Sequence, residues 1–429
     1  MIEKINQLSV KIYEKIMGEK ITPNIFVFLK NLKYTIFSYG IAALCVFSFE
    51  ILAGRKLGTE NYGKYVLSTI ISLFLSLLTT MGITIATIKY IAQEKNQLTQ
   101  KKIITAAYSI VFFLILVMGA VICFLSPLVL RLFSVPLDIF YTAVFFTTCF
   151  SLYSLATDIL RGLSEIKKLS LFRVAYGLLI ISFLIIFLFF GNISFKTAIF
   201  IIGFSYIFIF FLTTISIRKY FSFSVEWRWI KELLRYGVYA MVGGSLLTFL
   251  PRLGQIFVNK YLTISDVGIY NAYYLSSVSI MIFFYTTFIV VFFPAASKYK
   301  EKGPILDKIK KIIPFLFFYG VPFLFLTQWI ILKLYGSDYP INYSLMFLFA
   351  LSGILIFIYG LYGWLFYSKD IWGAKIIASS TIFVLVINIF FNTYLIPRAS
   401  LHGAALAIIF AYLIGIFFLY LFQKKLIEQ

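Results

Sequence analysis

Val174-Ala175-Tyr176-Gly177-Leu178-Leu179-Ile180-Ile181-Ser182-Phe183-Leu184-Ile185-Ile186-Phe187-Leu188-Phe189-Phe190 runs without a charge from Arg173 to the Gly191-Asn192 turn. A helix rises about 1.5 Å per residue, so about 20 such residues cross a hydrocarbon core about 30 Å thick. The apolar residues are continuous rather than alternating, which excludes a barrel strand and leaves a helix that closes its own backbone hydrogen bonds. The same pattern recurs outward in both directions. Apolar runs lie near 34–54, 65–91, 103–125, 138–162, 169–190, 196–216, 236–260, 267–295, 312–335, 341–367, 373–396 and 401–423, each ended by a short polar cluster. The chain is 61% hydrophobic and 13% charged, with a mean hydropathy of +0.96. About 12 spans of about 22 residues leave short loops and no room for a soluble domain of ordinary size. The fold class expected is an all-α polytopic membrane protein.

Orientation follows from Lys and Arg. With residues 1–33 placed inside, 29 of the 38 basic residues fall on the inner side and eight outside: Arg55, Lys56, Lys64, Arg131, Lys196, Lys260, Lys333 and Arg398. Arg252 lies within a span. This asymmetry places both termini in the cytoplasm of a multi-pass protein of the cell membrane. It also accounts for the net charge of +21 without nucleic acid, because basic loops face anionic lipid. Ile2, Ile5, Leu8, Ile12 and Ile16 recur at near-helical spacing among Lys and Glu, so residues 1–33 are expected to hold an amphipathic surface helix ended near Thr22-Pro23-Asn24 rather than a cleaved signal. Cys45, Cys123 and Cys149 sit in apolar runs without paired spacing and read as packing residues.

The chain also matches itself at an offset of 205. Leu57-Gly58-Thr59-Glu60-Asn61-Tyr62-Gly63-Lys64-Tyr65 falls on Leu262-Thr263-Ile264-Ser265-Asp266-Val267-Gly268-Ile269-Tyr270, with a Gly and a Tyr in register. The same offset aligns the turns at Gln93-Glu94-Lys95 and Lys298-Tyr299-Lys300, at Ser164-Glu165-Ile166-Lys167 and Lys369-Asp370-Ile371-Trp372, and at Gly191-Asn192 and Ile396-Pro397. Six spans is an even number, so both halves enter from one side. Two parallel pseudo-symmetric six-helix bundles are expected, over 34–216 and 236–423, joined by a cytoplasmic linker at 217–235 and ending in a tail at 424–429.

Particular residues resemble a known family. Phe37-Ser38-Tyr39-Gly40, Gly58 to Tyr65, Met81-Gly82-Ile83, Lys89-Tyr90-Ile91-Ala92, Leu233-Leu234-Arg235-Tyr236-Gly237 and Ser265-Asp266-Val267-Gly268-Ile269-Tyr270 resemble polysaccharide flippases of the Wzx (O-antigen) type. These belong to the superfamily of multidrug and toxin extrusion antiporters and lipid II flippases. The resemblance runs from about residue 30 to the last span. It implies bundles arranged as a V around a central cleft lined largely by the first and seventh spans. It also implies a polyprenyl-diphosphate-linked oligosaccharide as substrate, carried from the inner to the outer leaflet by alternating access.

Few polar residues lie inside the spans, and these are the candidate site. Arg252 is costly in a membrane and such residues usually face a bundle interior or wet cavity; Pro251 before it removes a helical hydrogen bond. A guanidinium beside a kink suits a diphosphate or acidic sugar, the alternative being an Arg that snorkels or pairs structurally. Gln255, one turn on, is the repeat partner of Glu50, so Glu50 and Arg252 are expected to face one cleft and to pair when it closes outside. Glu50 also reads as a residue snorkelling near the outer boundary. Asp158 with Arg161 reads as a local ion pair or a coupling carboxylate, and Asn388 with Asn392 as helix glue or sugar ligands. Tyr270, Asn271, Tyr273, Tyr274, Ser276 and Ser277 make the eighth span polar enough for sugar contacts, or for an outer tyrosine belt. His402 reads as interfacial.

The leading expectation is a flippase for lipid-linked oligosaccharide in surface polysaccharide assembly. Glu50, Asp158 and Pro251 are the coupling or gating residues. No cofactor is expected, and the energy source is left between a proton and a sodium gradient. A cation-coupled multidrug exporter is the alternative, although such a site favours several buried carboxylates. A membrane-embedded polymerase or ligase would need acidic or His groups on a sizeable outer loop, and the sequence shows no nucleophile with a partnered base. The partners expected are the bilayer and the lipid-linked substrate, not nucleic acid. Whether a polysaccharide polymerase and chain-length machinery work beside the chain is left open.

Overall fold

A computed structural model describes residues 23–133, 135–191, 193–222, 224–241, 249–288, 303–367 and 371–428. The amphipathic helix expected before Pro23 lies outside them, as does the repeat turn at 298–300. Every regular element among the described residues is helical. The first half contains α1 (Pro23–Thr80), α2 (Ile83–Gln93), α3 (Gln97–Phe133), α4 (Leu137–Gly162), α5 (Ile166–Phe189) and α6 (Phe195–Ser216). Then come α7 (Trp227–Ala240), a 3-10 turn at Leu250–Arg252, α8 (Leu253–Tyr261) and α9 (Ile264–Tyr274), which runs on through a wider π turn at Leu275–Ser279. They are followed by α10 (Gly303–Phe315), α11 (Val321–Tyr335), α12 (Tyr343–Tyr367) and α13 (Ile371–Glu428).

Nine helices among the described residues are long and apolar enough to cross a membrane. Two of them, α1 and α13, each double back. In α1 the reversal is at Gly58, whose φ of 68° suits a residue without a Cβ. Glu50 and Tyr62 would stand about 18 Å apart along a straight helix, yet their side chains are hydrogen bonded at 2.7 Å. In α13 the reversal is at Ser400, three residues after Pro397, and it brings the rings of Phe391 and Phe410 to 5.0 Å. These reversals account for the first, second, eleventh and twelfth spans.

The approach to the seventh span is amphipathic. Residues 236–240 belong to α7, an amphipathic helix that starts at Trp227 and carries Arg228, Lys231 and Arg235. Its apolar side, with Leu233 buried, closes a satellite core against α2 and the nearby ends of α3 and α4. Tyr90 of α2 meets Trp229 and Tyr236 edge-on, and Lys89 sits 3.8 Å over the Tyr236 ring. Gly82 and Gly237 let the two backbones touch, since a Cβ on either would overlap the other strand of chain. The chain resumes at 249–261, with 242–248 outside the described residues.

The two halves meet at the face that carries few basic residues, where Gly58 lies. There α1 and α9 cross at a pair of glycines. A Cβ on Gly63 would overlap the Ile264 carbonyl, and a Cβ on Gly268 would overlap the Thr59 carbonyl. Thr59 and Ile264, like Gly63 and Gly268, are partners under the offset of 205. The contact is therefore reciprocal, as a pseudo-two-fold axis between α1 and α9 requires. Small residues four apart are what let two membrane helices approach this closely.

Candidate functional site at the junction of the two halves

Beneath the glycine crossing lies a chain of buried polar side chains. Tyr62 and Tyr65 follow the Gly58 reversal by four and seven positions, which returns them to the level of Glu50. Tyr62 donates its hydroxyl proton to Glu50 Oε2 and Tyr65 donates to Oε1, each at 2.7 Å. Asn271 Nδ2, on α9, donates to the Tyr62 oxygen at 2.8 Å, and the Tyr335 hydroxyl at the end of α11 lies 2.9 Å from it. Gln255 Nε2 donates to Asn271 Oδ1 at 2.6 Å. Glu50 and its repeat partner Gln255 are thus joined through Tyr62 and Asn271, across the boundary between the halves. Tyr339 adds a hydrogen bond to the Gly54 carbonyl at 2.9 Å, and Ser265 one to Thr59 at 2.6 Å. Gly54 has no side chain because the Tyr335 ring lies against its backbone.

Arg252 ends the 3-10 turn and stacks 5.5 Å from the Tyr274 ring. Its charge acts on Glu50, but the two form no ion pair. This corrects the expected Glu50–Arg252 pairing: the α1 reversal supplies two tyrosine hydroxyls first. The expected Pro251 kink in a continuous helix is likewise replaced by a 3-10 turn.

Toward the basic-rich face a cavity of about 260 Å³ opens against the first half, with Phe283 of the second half at its edge. Tyr39, Val46 and Phe47 of α1 wall one side, Tyr153 and Tyr176 another, and Phe283, beyond α9, the third. Among the described residues its one charged lining residue is Arg173, whose guanidinium lies 3.6 Å over the Tyr39 ring and near Tyr153. Tyr153, Tyr176 and Tyr206 pack ring on ring behind it, Tyr176 and Tyr206 parallel at 4.8 Å. These tyrosines and Arg173 went unread in the sequence. Arg173 counts there as a loop-side charge, and only the angle of α5 turns it into the cleft.

Other candidates are placed elsewhere. Asn392 donates to the carbonyl and side-chain oxygen of Asn388, both at 2.8 Å, and Asn388 faces the Ala407 carbonyl. Both are buried between the arms of α13, where they tie a hairpin, in keeping with the helix-glue reading. Tyr270 is fully buried against Phe349 and Gly254, and its hydroxyl has no partner among the described residues. It contacts core in this arrangement. Tyr274 lies beside Arg252, and Asn271 acts within the polar chain. Asp158 pairs with Arg161 at 3.2 Å and bonds Thr84 of α2, so it braces the basic-rich end. His402 bonds exposed Ser344 at 2.8 Å. Cys149 is buried and Cys45 half-buried; the Cys123 side chain lies outside the described residues.

The pattern of the family described as "polysaccharide biosynthesis protein" matches residues 28–300, well over half of the chain. The chain belongs to this family. As a polysaccharide biosynthesis protein it has a curated relative in Methanocaldococcus jannaschii, an uncharacterized membrane protein 28% identical over 214 residues. That match spans 47% of this chain and 40% of the relative. Among solved structures, an inward-facing multidrug resistance MATE family transporter of the MOP superfamily superposes with a TM-score of 0.69, at 14% identity over 91% of this chain and 95% of that one. An outward-facing MATE transporter gives 0.60 at 14% identity, over 95% and 99%. The lipid II flippase MurJ, in an inward closed conformation, gives 0.61 at 16% identity, over 92% and 87%. The chain shares the fold of these three structures, which are transporters and a flippase rather than enzymes.

Proposed function

We propose that this polysaccharide biosynthesis protein is a flippase that moves a polyprenyl-diphosphate-linked oligosaccharide from the inner to the outer leaflet. The observation that carries the reading is the contrast between the ends of the inter-half cleft: a polar chain closes one, and an aromatic cavity with one cation opens at the other. The positive-inside rule puts the basic-rich face in the cytoplasm, so this arrangement is inward-facing. Arg173 supplies a guanidinium for diphosphate oxygens, while Tyr39, Tyr153 and Tyr176 offer ring faces and hydroxyls to a sugar. The apolar flank formed by Val46, Phe47 and Phe283 suits a lipid tail. Arg252, half-buried and without an ion pair among the described residues, waits nearer the closed end as the next anion contact. Transport then requires the Tyr62–Asn271–Tyr335 chain to part and the cavity to close.

A multidrug exporter is the other reading, favoured by the MATE likeness. The cavity disfavours it, because the one charged lining residue among the described residues would repel an organic cation. The test is a lipid extract of cells lacking the gene, with the sugar-assembly enzymes intact. Polyprenyl-diphosphate oligosaccharide should accumulate in the inner leaflet and be cleared by the wild type, with at least tenfold weaker clearance by Arg173→Ala. Normal lipid with heightened sensitivity to cationic drugs would replace the flippase by the exporter.

A further inference from the structure

The helix α7, which leads from the first half into the second, uses its two sides unequally. Its buried side, with Leu233 and Gly237, packs on α2. Its acidic groups are turned inward as well. Glu226, just before the helix, pairs with Lys102 of α3 at 2.6 Å, and Glu232 accepts from the Tyr90 hydroxyl of α2 at 3.4 Å. Arg228, Lys231 and Arg235 point the other way. At about 3.6 residues per turn they fall within an arc of about 60°, as one stripe. All three are exposed, and none forms an ion pair among the described residues.

An apolar edge borders the stripe. Trp227 is 75% exposed, and Val238, about 20° from it around the helix, is exposed too, as is Val225 just before the helix. Cations beside an exposed tryptophan are the composition of a helix lying at the membrane–water boundary, where the ring sits at headgroup level and Lys and Arg meet lipid phosphates. The position agrees, since α7 follows α6 and approaches the seventh span on the basic-rich face. That face meets the cytoplasmic leaflet, whose surface is the anionic one.

We infer that the outward side of α7 is a binding surface for anionic phospholipid of the inner leaflet. Arg228, Lys231 and Arg235 take the headgroup phosphates, and Trp227 and Val238 lie against the apolar region next to them. The surface is separate from the cavity and does not depend on what is transported. Lipid held there rests on the segment that joins the halves and touches α2 through Gly82 and Gly237.

The test uses the full chain in nanodiscs, with the three native cysteines replaced by alanine and a fluorophore on Val225→Cys. Phosphatidylglycerol and phosphatidylcholine, each with a nitroxide high on one acyl chain, are compared as quenchers at equal mole fraction in a phosphatidylcholine bilayer. Phosphatidylglycerol should be preferred at this site by more than about fivefold, the worth of one basic side chain at an anionic surface. Arg228→Gln, Lys231→Gln and Arg235→Gln together should bring the ratio close to parity. Arg228→Lys with Arg235→Lys keeps the charges and should keep the preference, which separates lost charge from a folding defect. Lys308→Gln, Lys310→Gln and Lys311→Gln remove the same charge from exposed positions on α10 and should leave the ratio unchanged. Raising salt from about 0.1 to about 1 M shortens the screening length from about 10 to about 3 Å and should lower the ratio. Equal quenching by the two lipids in the wild type would overturn the inference and leave the stripe to an acidic protein partner. A fall in the α10 variant as large as in the α7 variant would also overturn it, because the preference would then belong to net charge.

Discussion

Glu50 with Tyr65 and Gln255 with Tyr270 occupy equivalent places in the two halves, yet they have become opposites. In the first half the tyrosine bonds the carboxylate, and both carboxylate oxygens are used. In the second, neither the Tyr270 hydroxyl nor the buried Gln255 Oε1 has a partner among the described residues. The backbone around both pairs kept its symmetry, as the reciprocal Gly63 and Gly268 contacts show. The chemistry diverged: one side became an ionisable site, and the other a neutral donor that reaches it through Asn271. A duplicated fold supplies the close crossing by symmetry and a distinct polar site by breaking that symmetry.

Substitutions can break this comparison in graded ways. Gln255→Glu should have the largest effect. Asn271 would have to turn its amide nitrogen toward the new carboxylate, which presents its oxygen to Tyr62 and draws that proton away from Glu50. An uncompensated buried charge costs about 3–5 kcal/mol, readable as a large fall in thermal midpoint. An unchanged midpoint would mean the two positions are not coupled. Gly63→Val comes next: its side chain must enter the Ile264 backbone, at a cost near the upper end of about 1–3 kcal/mol for overpacking. A disulfide between Thr59→Cys and Ser265→Cys should no longer form in that background, and undiminished cross-linking would refute the close crossing.

Tyr62→Phe removes a hydroxyl with three partners and strands the Asn271 donor, so it should destabilise by about 1–3 kcal/mol. Tyr270→Phe removes a hydroxyl that bonds nothing among the described residues and should leave the melting temperature within the change expected for about 0.5 kcal/mol. Equal effects of the two tyrosine variants would erase the asymmetry argued here.

Most of the scaffold is readable in the sequence because membrane spans are set by length and apolarity. Gly63 and Gly268 stand in register under the offset of 205 in the bare order of residues. The site is less readable, since hydropathy marks a polar residue without giving its azimuth. The repeat pairs Glu50 with Arg252, whereas the reversal at Gly58 brings a closer partner. A helix that doubles back lays its second arm along its first, and long side chains a few residues past Gly58 can reach back to Glu50, as Tyr62 and Tyr65 do. The arms of α13 meet in the same way around Asn388 and Asn392. Arg173 is hidden by the topology rule itself, which treats a cation at a span end as a loop residue.

The most direct test of the account uses the Thr59 and Ser265 pair as a lock. Their side-chain oxygens lie 2.6 Å apart across the two halves, so paired cysteines there should form a disulfide that holds the basic-poor face closed. Translocation of lipid-linked oligosaccharide by the oxidised protein in proteoliposomes should fall to background and return on reduction. Translocation at the wild-type rate with the disulfide intact would contradict a mechanism in which this face must open.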